Sequence, residues 1–300
     1  MAIFTESAHA MQTKIIKQLY HLVYRGLKNR KAVRKLLAFI GVCGLIVTMA
    51  CRPFGAQAQA IKKKINKVVI DAGHGGHDPG CHGVYSWEKD ITLAVSKRVG
   101  KLIQDQLKDL KVVYTREYDW YPGLKERTTL ANKEKGDLFI SIHVNATPKK
   151  NSPVKGTLVL VCGPTRVDEK EDAIEAHAQN FDEQNKDLLD PNDPMTPIII
   201  AQYSQAFLAQ SVVLGARINE EFAAQGRVTE GLRQQSLQVL ASSAMPGVLV
   251  EIGYLNNVEE ENYLNSEEGQ NEVARAIFNA IKYYKETAEK APVKIIGNDQ

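Results

Sequence analysis

Short runs of this 300-residue chain are apolar almost without interruption, and helical patterns separate them. The runs are KVVIDAG at 67–73, KVVYTRE at 111–117, LFISIHVNA at 138–146, GTLVLVCG at 156–163 and GVLVEIGYL at 247–255. A strand buried on one face alternates apolar and polar residues, whereas a strand buried on both does not, so these runs belong in a sheet covered on both sides. Between the first two, Ile91, Val95, Val99 and Leu102 fall on one helical stripe, with Asp90 placed to cap it. A second stripe runs through Tyr203, Phe207, Leu214, Ile218 and Phe222, and a third through Val273, Ile277, Ile281 and Tyr284. The order of strands and helices predicts an α/β fold: an open, mainly parallel twisted sheet with helices on both faces.

The formal charge of +3 hides an uneven distribution. Residues 1–35 hold eight bases against one acid, and residues 61–300 carry −5. That removes the main support for nucleic-acid binding. The basic stretch leads into LLAFIGVCGLIVTMA, Leu36–Ala50, and then into the small-residue string GAQAQA. Basic region, apolar core and A-x-A sites make residues 1–60 a secretory signal, cut after Ala58 or Ala60. A membrane anchor retained uncleaved and a lipid-modified Cys51 are the alternatives. Cys81 and Cys162 then remain, too few to build a disulfide scaffold, so a hydrophobic core must hold residues 61–286 together. Paired in an oxidising envelope or left as two buried thiols, both states are open for them.

One segment departs from the pattern. Asp168–Pro194 carries ten acids and two bases, within an insertion spanning 164–197, and reads as a solvated surface segment with one short amphipathic helix around Ala173, His177 and Phe181. Periodicity is lost again from about Thr287, so residues 287–300 read as a tail.

Ligands of α/β sheets gather beyond the carboxyl ends of parallel strands. There the first strand opens into AGHGGHDPG, which puts His74 in a glycine-rich turn; Glu88 precedes the capped helix; His143 interrupts the apolar third strand; and Glu251 lies inside VLVEIG. A buried carboxylate needs a charge partner or a cation. Two histidines and one carboxylate as ligands, with an open position for water and a second carboxylate to move protons, make a catalytic zinc site and use all four residues. Each alone has an ordinary reading, a hydrogen-bonded core histidine or an acid at a helix start. His77, Cys81 and His82 are near enough in sequence to compete as ligands, while His177 reads as surface.

The strings VVIDAGHGGHDPG, EKDITLAVSKRVGKLI, VVYTRE, LKERTTLAN, GDLFISIHVNA and VLVEIGYLNN, in this order over about residues 66–285, resemble the zinc-dependent N-acetylmuramoyl-L-alanine amidases that cut peptidoglycan. The resemblance implies Zn2+ held by His74, Glu88 and His143, with Glu251 as the catalytic carboxylate. It implies hydrolysis of the amide joining the lactyl group of N-acetylmuramic acid to L-alanine of the stem peptide. Arg127 and Asn145 fall at recurring positions of the family's motifs, and Asp71 is placed to orient a ligand histidine; a core ion pair, a strand-end turn and strand-end capping are the plain roles for the three. Members of the cell-separation type are similar in carrying an insertion at 164–197 whose helix covers the zinc cleft until a partner displaces it, which would make Glu171 and Glu175 inhibitory ligands.

The resemblance thus implies an exported enzyme of the bacterial periplasm or cell envelope, acting on peptidoglycan in wall turnover and daughter-cell separation. An activator protein is expected, nucleic acid is not, and membrane contact is expected only through the N-terminal segment. A zinc peptidase cutting within the stem peptide and an inactive wall-binding regulator are the competing functions.

Overall fold

The computed structural model describes residues 64–177, 190 and 192–290. Its strands are β1 (Lys67–Ala72), β2 (Lys111–Tyr114), β3 (Leu138–Asn145), β4 (Thr157–Cys162), β5 (Thr229–Gln235) and β6 (Gly247–Tyr254). They form one sheet in the order β2-β1-β3-β6-β4-β5. All neighbours pair in parallel except β4 and β6, which are antiparallel. The helices are α1 (Glu88–Gln106), α2 (Leu124–Lys133), α3 (Val167–Ala176), α4 (Thr196–Ala224), α5 (Gln238–Ala241), α6 (Val258–Asn265) and α7 (Glu267–Ala288). The expected mainly parallel α/β sheet covered on both faces is therefore present.

Strand alternation divides the core. On one face Val68, Ile70, Ile140, Ile142, Val159, Val248 and Val250 meet the expected stripes of α1, α4 and α7. On the other, Val69, Phe139, Leu158, Leu160 and Leu249 meet Ala131 of α2 and Val239 and Leu240 of α5. Each fully buried Ile, Leu or Val contributes about 1.5–3 kcal/mol relative to exposure, which is what holds a chain with no disulfide among its described residues. The second face is apolar only toward the amino ends of β3 and β6. Further along, Asp71, Ser141, His143 and Glu251 take the alternate positions and turn it polar.

Several elements differ from expectation. Helix α1 begins at Glu88, and Asp90 lies in its first turn instead of capping it. The preceding loop supplies the cap: Glu88 N donates to Cys81 O and Lys89 N to Pro79 O, so no side chain is needed at Trp87. Strand β5, TEGLRQQ, has too few apolar residues to show itself, because it is an edge strand whose last three residues are exposed. Cys81 and Cys162 are both free and lie toward opposite ends of the sheet, Cys81 bonding Val144 O at the carboxyl end of β3 and Cys162 ending the reversed β4. Helix α7 continues to Ala288. The leader, Phe181 and residues 291–300 lie outside the described residues.

The direction of β4 decides where the acidic insertion goes. Leu158 is level with Glu251 and Leu160 with Leu249, so β4 leaves the sheet near the amino end of β6. Helix α3 follows at that end, where Lys170 Nζ donates to the backbone oxygens of Leu240, Ser243 and Met245. Ile174 packs on Ile200 and Phe207. Helix α4 is level with the start of β6 at Ser211, whose hydroxyl accepts from Gly247 N, so Ile200 lies about 16 Å farther from the carboxyl end of β6 at 1.5 Å per residue.

Candidate metal centre

The turn Gly73–Gly80 leaves β1 and folds over the first residues of α1. His74 takes φ +60, a left-handed conformation unusual for a side-chain-bearing residue, and three of its carbonyl neighbours are tied down to keep it there. Arg127 donates to the oxygens of Ala72 and His74 at 2.7 Å each, and Arg116 donates to those of Ala72 at 2.9 Å and Gly73 at 2.8 Å. Both guanidinium groups are buried. Two glycines leave room for the imidazoles. A Cβ on Gly73 would stand 2.4 Å from the His143 ring, and one on Gly80, at φ +68, would stand 2.5 Å from Glu88 Oε2.

The three expected ligands converge. One donor atom from each of His74, Glu88 and His143 lies within 4.8 Å of the others. Glu88 Oε1 is 3.1 Å from His74 Nε2, 2.9 Å from His143 Nδ1 and accepts from Val144 N at 2.9 Å; Oε2 accepts from Cys81 N at 2.8 Å. Burial would raise the Glu88 carboxyl, but the hydrogen bonds and charges of the two imidazoles outweigh it and hold the group well below the usual carboxylate range. Burial would lower His74, but Glu88 and Asp78 together raise it above the ordinary imidazole value. Two nitrogens and one carboxylate oxygen, gathered within 4.8 Å of one another and held by neighbouring hydrogen bonds, suit zinc.

Glu251 completes the cluster from β6, paired in register with His143. Its Oε2 is buried without a hydrogen-bond partner. Burial, opposed by the nearby His143, pushes its carboxyl up to about 7. Such an oxygen is costly to keep unless something else occupies the space before it.

Of the other residues named from sequence, Asp71 does not reach an imidazole. It is fully buried and accepts from Thr115 Oγ1 at 2.6 Å, Ser141 Oγ at 2.7 Å and Arg127 Nη1 at 2.8 Å. Burial alone would raise its carboxyl, but Arg127 and the two hydroxyls lower it below the model-peptide value. The imidazole is oriented instead by Asp78, whose Oδ2 accepts from His74 Nδ1 at 2.8 Å. Asp78 was hidden in sequence because Asp-Pro-Gly reads as turn chemistry; its spacing of four from His74 was the available signal. Arg127 is a buried scaffold residue. Asn145 makes a strand-end turn, its Oδ1 accepting from Ala146 N. His77 lies against Tyr121 and His82 against Trp87 with tilted rings, and neither is among the donors that converge with His74. Glu171 and Glu175 stand on α3, which is pinned at the amino end of β6, and so do not lie over the cleft as expected.

Two loops beside the site are also fixed. Glu261 of α6 accepts from Val84, Tyr85 and Ser86 N, which sets the approach to Glu88. Asp119 accepts from Gly76 N and Lys89 Nζ, which ties the loop bearing the exposed Tyr118 and Trp120 to the His74 turn.

A family model described as N-acetylmuramoyl-L-alanine amidase matches residues 68–283. The chain is 32% identical to YqiI of Bacillus subtilis, described as uncharacterized, over 84% of this chain and 98% of that one. It is 32% identical to a probable N-acetylmuramoyl-L-alanine amidase, AmiB of Haemophilus influenzae, over 71% of this chain; the match spans 51%, about half, of AmiB. Among solved structures, the N-acetylmuramoyl-L-alanine amidase of Clostridium difficile 630 aligns with a TM-score of 0.56 at 25% identity, covering 75% of this chain and 99% of that one.

Proposed function

The chain belongs to the N-acetylmuramoyl-L-alanine amidase family, and from that premise we propose that it uses zinc to hydrolyse the amide between the lactyl group of N-acetylmuramic acid and L-alanine of the stem peptide. The observation that carries this reading is the partnerless buried oxygen of Glu251, in register beside a two-histidine, one-carboxylate cluster.

His74 Nε2, Glu88 Oε1 and His143 Nδ1 are the atoms that would hold the ion. When bound, zinc supplies a Lewis acid that polarises an amide carbonyl and lowers the pKa of water to about 7. Glu88 enters with its charge already in place, since its pKa is held low. Asp78 keeps the proton of His74 on Nδ1 and so leaves Nε2 free to ligate. Glu251 does the proton work. Its Oε2 takes the proton of the attacking water as the new C–O bond forms; when the C–N bond breaks, the same atom returns that proton to the leaving nitrogen of alanine. The products are a lactyl carboxylate and a peptide with a free amino terminus. A carboxylate whose Oε2 has no hydrogen-bond partner of its own is free to take part in both halves of that exchange.

Residues 1–60 are proposed as the export signal or membrane anchor that delivers the enzyme to the bacterial envelope, for wall turnover and daughter-cell separation. An activator protein and regulation by residues 164–197 belong to the same reading. Because Glu171 and Glu175 lie at the far end of the sheet, the regulation is assigned to the insertion as a whole and not to these carboxylates. A variant lacking residues 168–194 tests it: raised activity supports restraint by this segment, and unchanged activity of the folded variant removes it.

The main test is release of stem peptides from purified peptidoglycan by the zinc-loaded protein and by Glu251→Gln. Peptides beginning with L-alanine, lost in the variant, are expected. Peptides cut internally would indicate a peptidase. Zinc bound by a folded protein that releases nothing would refute the enzymatic reading.

A further inference from the structure

We propose that Arg233, on the edge strand β5, binds a carboxylate of the substrate's peptide and makes the enzyme selective for acidic stems; this rests on the amidase reading above.

Arg233 lies on the face of the sheet that carries His143 and Glu251. Leu232 pairs with Val159, and both pack on the face covered by α1, α4 and α7. Arg233 pairs with Leu160, which belongs to the opposite face, the one that carries His143 and Glu251. The guanidinium is then drawn toward the level of Glu251. Arg233 Nη2 donates to Glu230 Oε2 at 2.9 Å, and Glu230 follows Thr229, the partner of Thr157. Leu158, next to Thr157, is the partner of Glu251. The guanidinium is thus held near the level of Glu251, two strands away across Leu158, which is about 10 Å at the usual strand spacing. An extended peptide covers that distance in about three residues.

Residues 61–300 carry −5, so an acidic peptide gains nothing from long-range attraction and must be read by local contacts. Arg116 and Arg127 are consumed in holding the His74 turn, Arg227 is paired with Glu260 at 2.7 Å and almost fully buried, and Lys170 is buried at the other end of the sheet. The Arg233 side chain is 56% exposed. Its partner Glu230 also accepts from the Tyr254 hydroxyl, so that carboxylate is engaged on both oxygens and the outer edge of the guanidinium fork is presented to solvent. A fork of this kind suits a carboxylate ligand. A surface pair with Glu230 alone would add little to stability.

The test uses muramoyl peptides of one length, with their carboxyls either free or all converted to carboxamides, and compares kcat/KM for wild type, Arg233→Gln and Arg233→Glu. Wild type is expected to favour the free-carboxylate substrate; the preference should fall about tenfold or more in Arg233→Gln and reverse in Arg233→Glu. The same comparison is made without turnover by titrating both peptides into zinc-loaded Glu251→Gln and its double variant with Arg233→Gln. A preference identical in all three active proteins, or equal binding of the two peptides with and without Arg233, overturns the assignment. A wild type that binds the acidic peptide selectively through Arg233 but cuts nothing would instead overturn the amidase reading while leaving this one standing.

Discussion

Replacing Arg127 with methionine tests the frame that holds His74. The substitution keeps much of the side-chain volume and removes the charge. Arg127 and Asp71 are both almost fully buried and 2.8 Å apart, so the variant leaves an ionised carboxylate with only Thr115 and Ser141 as donors. It also strips donors from the backbone oxygens of Ala72, Pro122 and His74. Breaking one side of a buried pair costs about 3–5 kcal/mol. For a domain of this size each kcal/mol moves the midpoint by roughly 2–4 °C, so Tm should fall by about 6–20 °C. The pH dependence has a definite sign. In the wild type the folded Asp71 pKa is lowered, so its contribution is present above the unfolded carboxylate value of 3.8 and is lost only as pH falls toward the folded one. In the variant, burial acts without Arg127 and raises Asp71, so the folded state takes up a proton before the unfolded state does. The gap between variant and wild type should therefore narrow on acidification. Scanning calorimetry of metal-free protein between pH 8 and about pH 5 reads both quantities. A midpoint within about 2 °C of wild type, a shift worth less than roughly 1 kcal/mol, would refute the account of this pair; so would a gap that stays constant with pH.

Asp78→Asn should weaken zinc binding by about 10–100-fold, read by competition with a chelator, while Asp71→Asn should act through stability and not through the His74 ring. Zinc binding should release protons near pH 6–7, because His74 is raised above 6.5 and must shed one to ligate; calorimetry in buffers of differing ionisation enthalpy measures this, and a buffer-independent enthalpy would contradict it. In the metal-free protein Glu251 sits at about 7, above its unfolded value of 4.5, so it favours the folded state below that window and opposes it as pH rises through 7. Glu251→Gln should accordingly raise Tm at pH 8 relative to wild type and lose that advantage toward pH 5; a constant difference would count against the burial argument. Gly80→Ala, which points a methyl at Glu88 Oε2 from a position with φ +68, should lower metal affinity as well as stability, and unchanged affinity would show that the turn can yield.

The buried strands, and His74, His143 and Glu251 of the candidate metal centre, could be read from sequence because each broke a pattern or sat at a strand end, whereas Glu88 reads on its own as an ordinary acid at a helix start and is picked out by the family resemblance. His143 and Glu251 are polar residues in apolar runs, and His74 lies among glycines that only a tight turn requires. What could not be read depended on tertiary partners. Strand β5 is polar because one edge faces solvent, and Asp90 lost its capping role because carbonyls of the 79–81 loop arrive from outside the helix. Asp71 is the carboxylate that sequence places behind His74, and Asp78 takes that role. The reason is tertiary: Arg127, Thr115 and Ser141 arrive at Asp71 and engage it. The placement of Glu171 and Glu175 turned on strand direction, since a parallel β4 would have delivered α3 to the metal end and the antiparallel one does not.

That reversal also bears on how such a chain can change over generations. The connection from β4 to α4 emerges at the pole remote from the candidate site, and among the described residues its first helix is fastened there through Lys170 and a small apolar patch. Residues can be gained, lost or exchanged in that connection at little cost to the geometry of His74, Glu88, His143 and Glu251. It is the natural place in this architecture for lineages to diverge in length while the reaction stays the same.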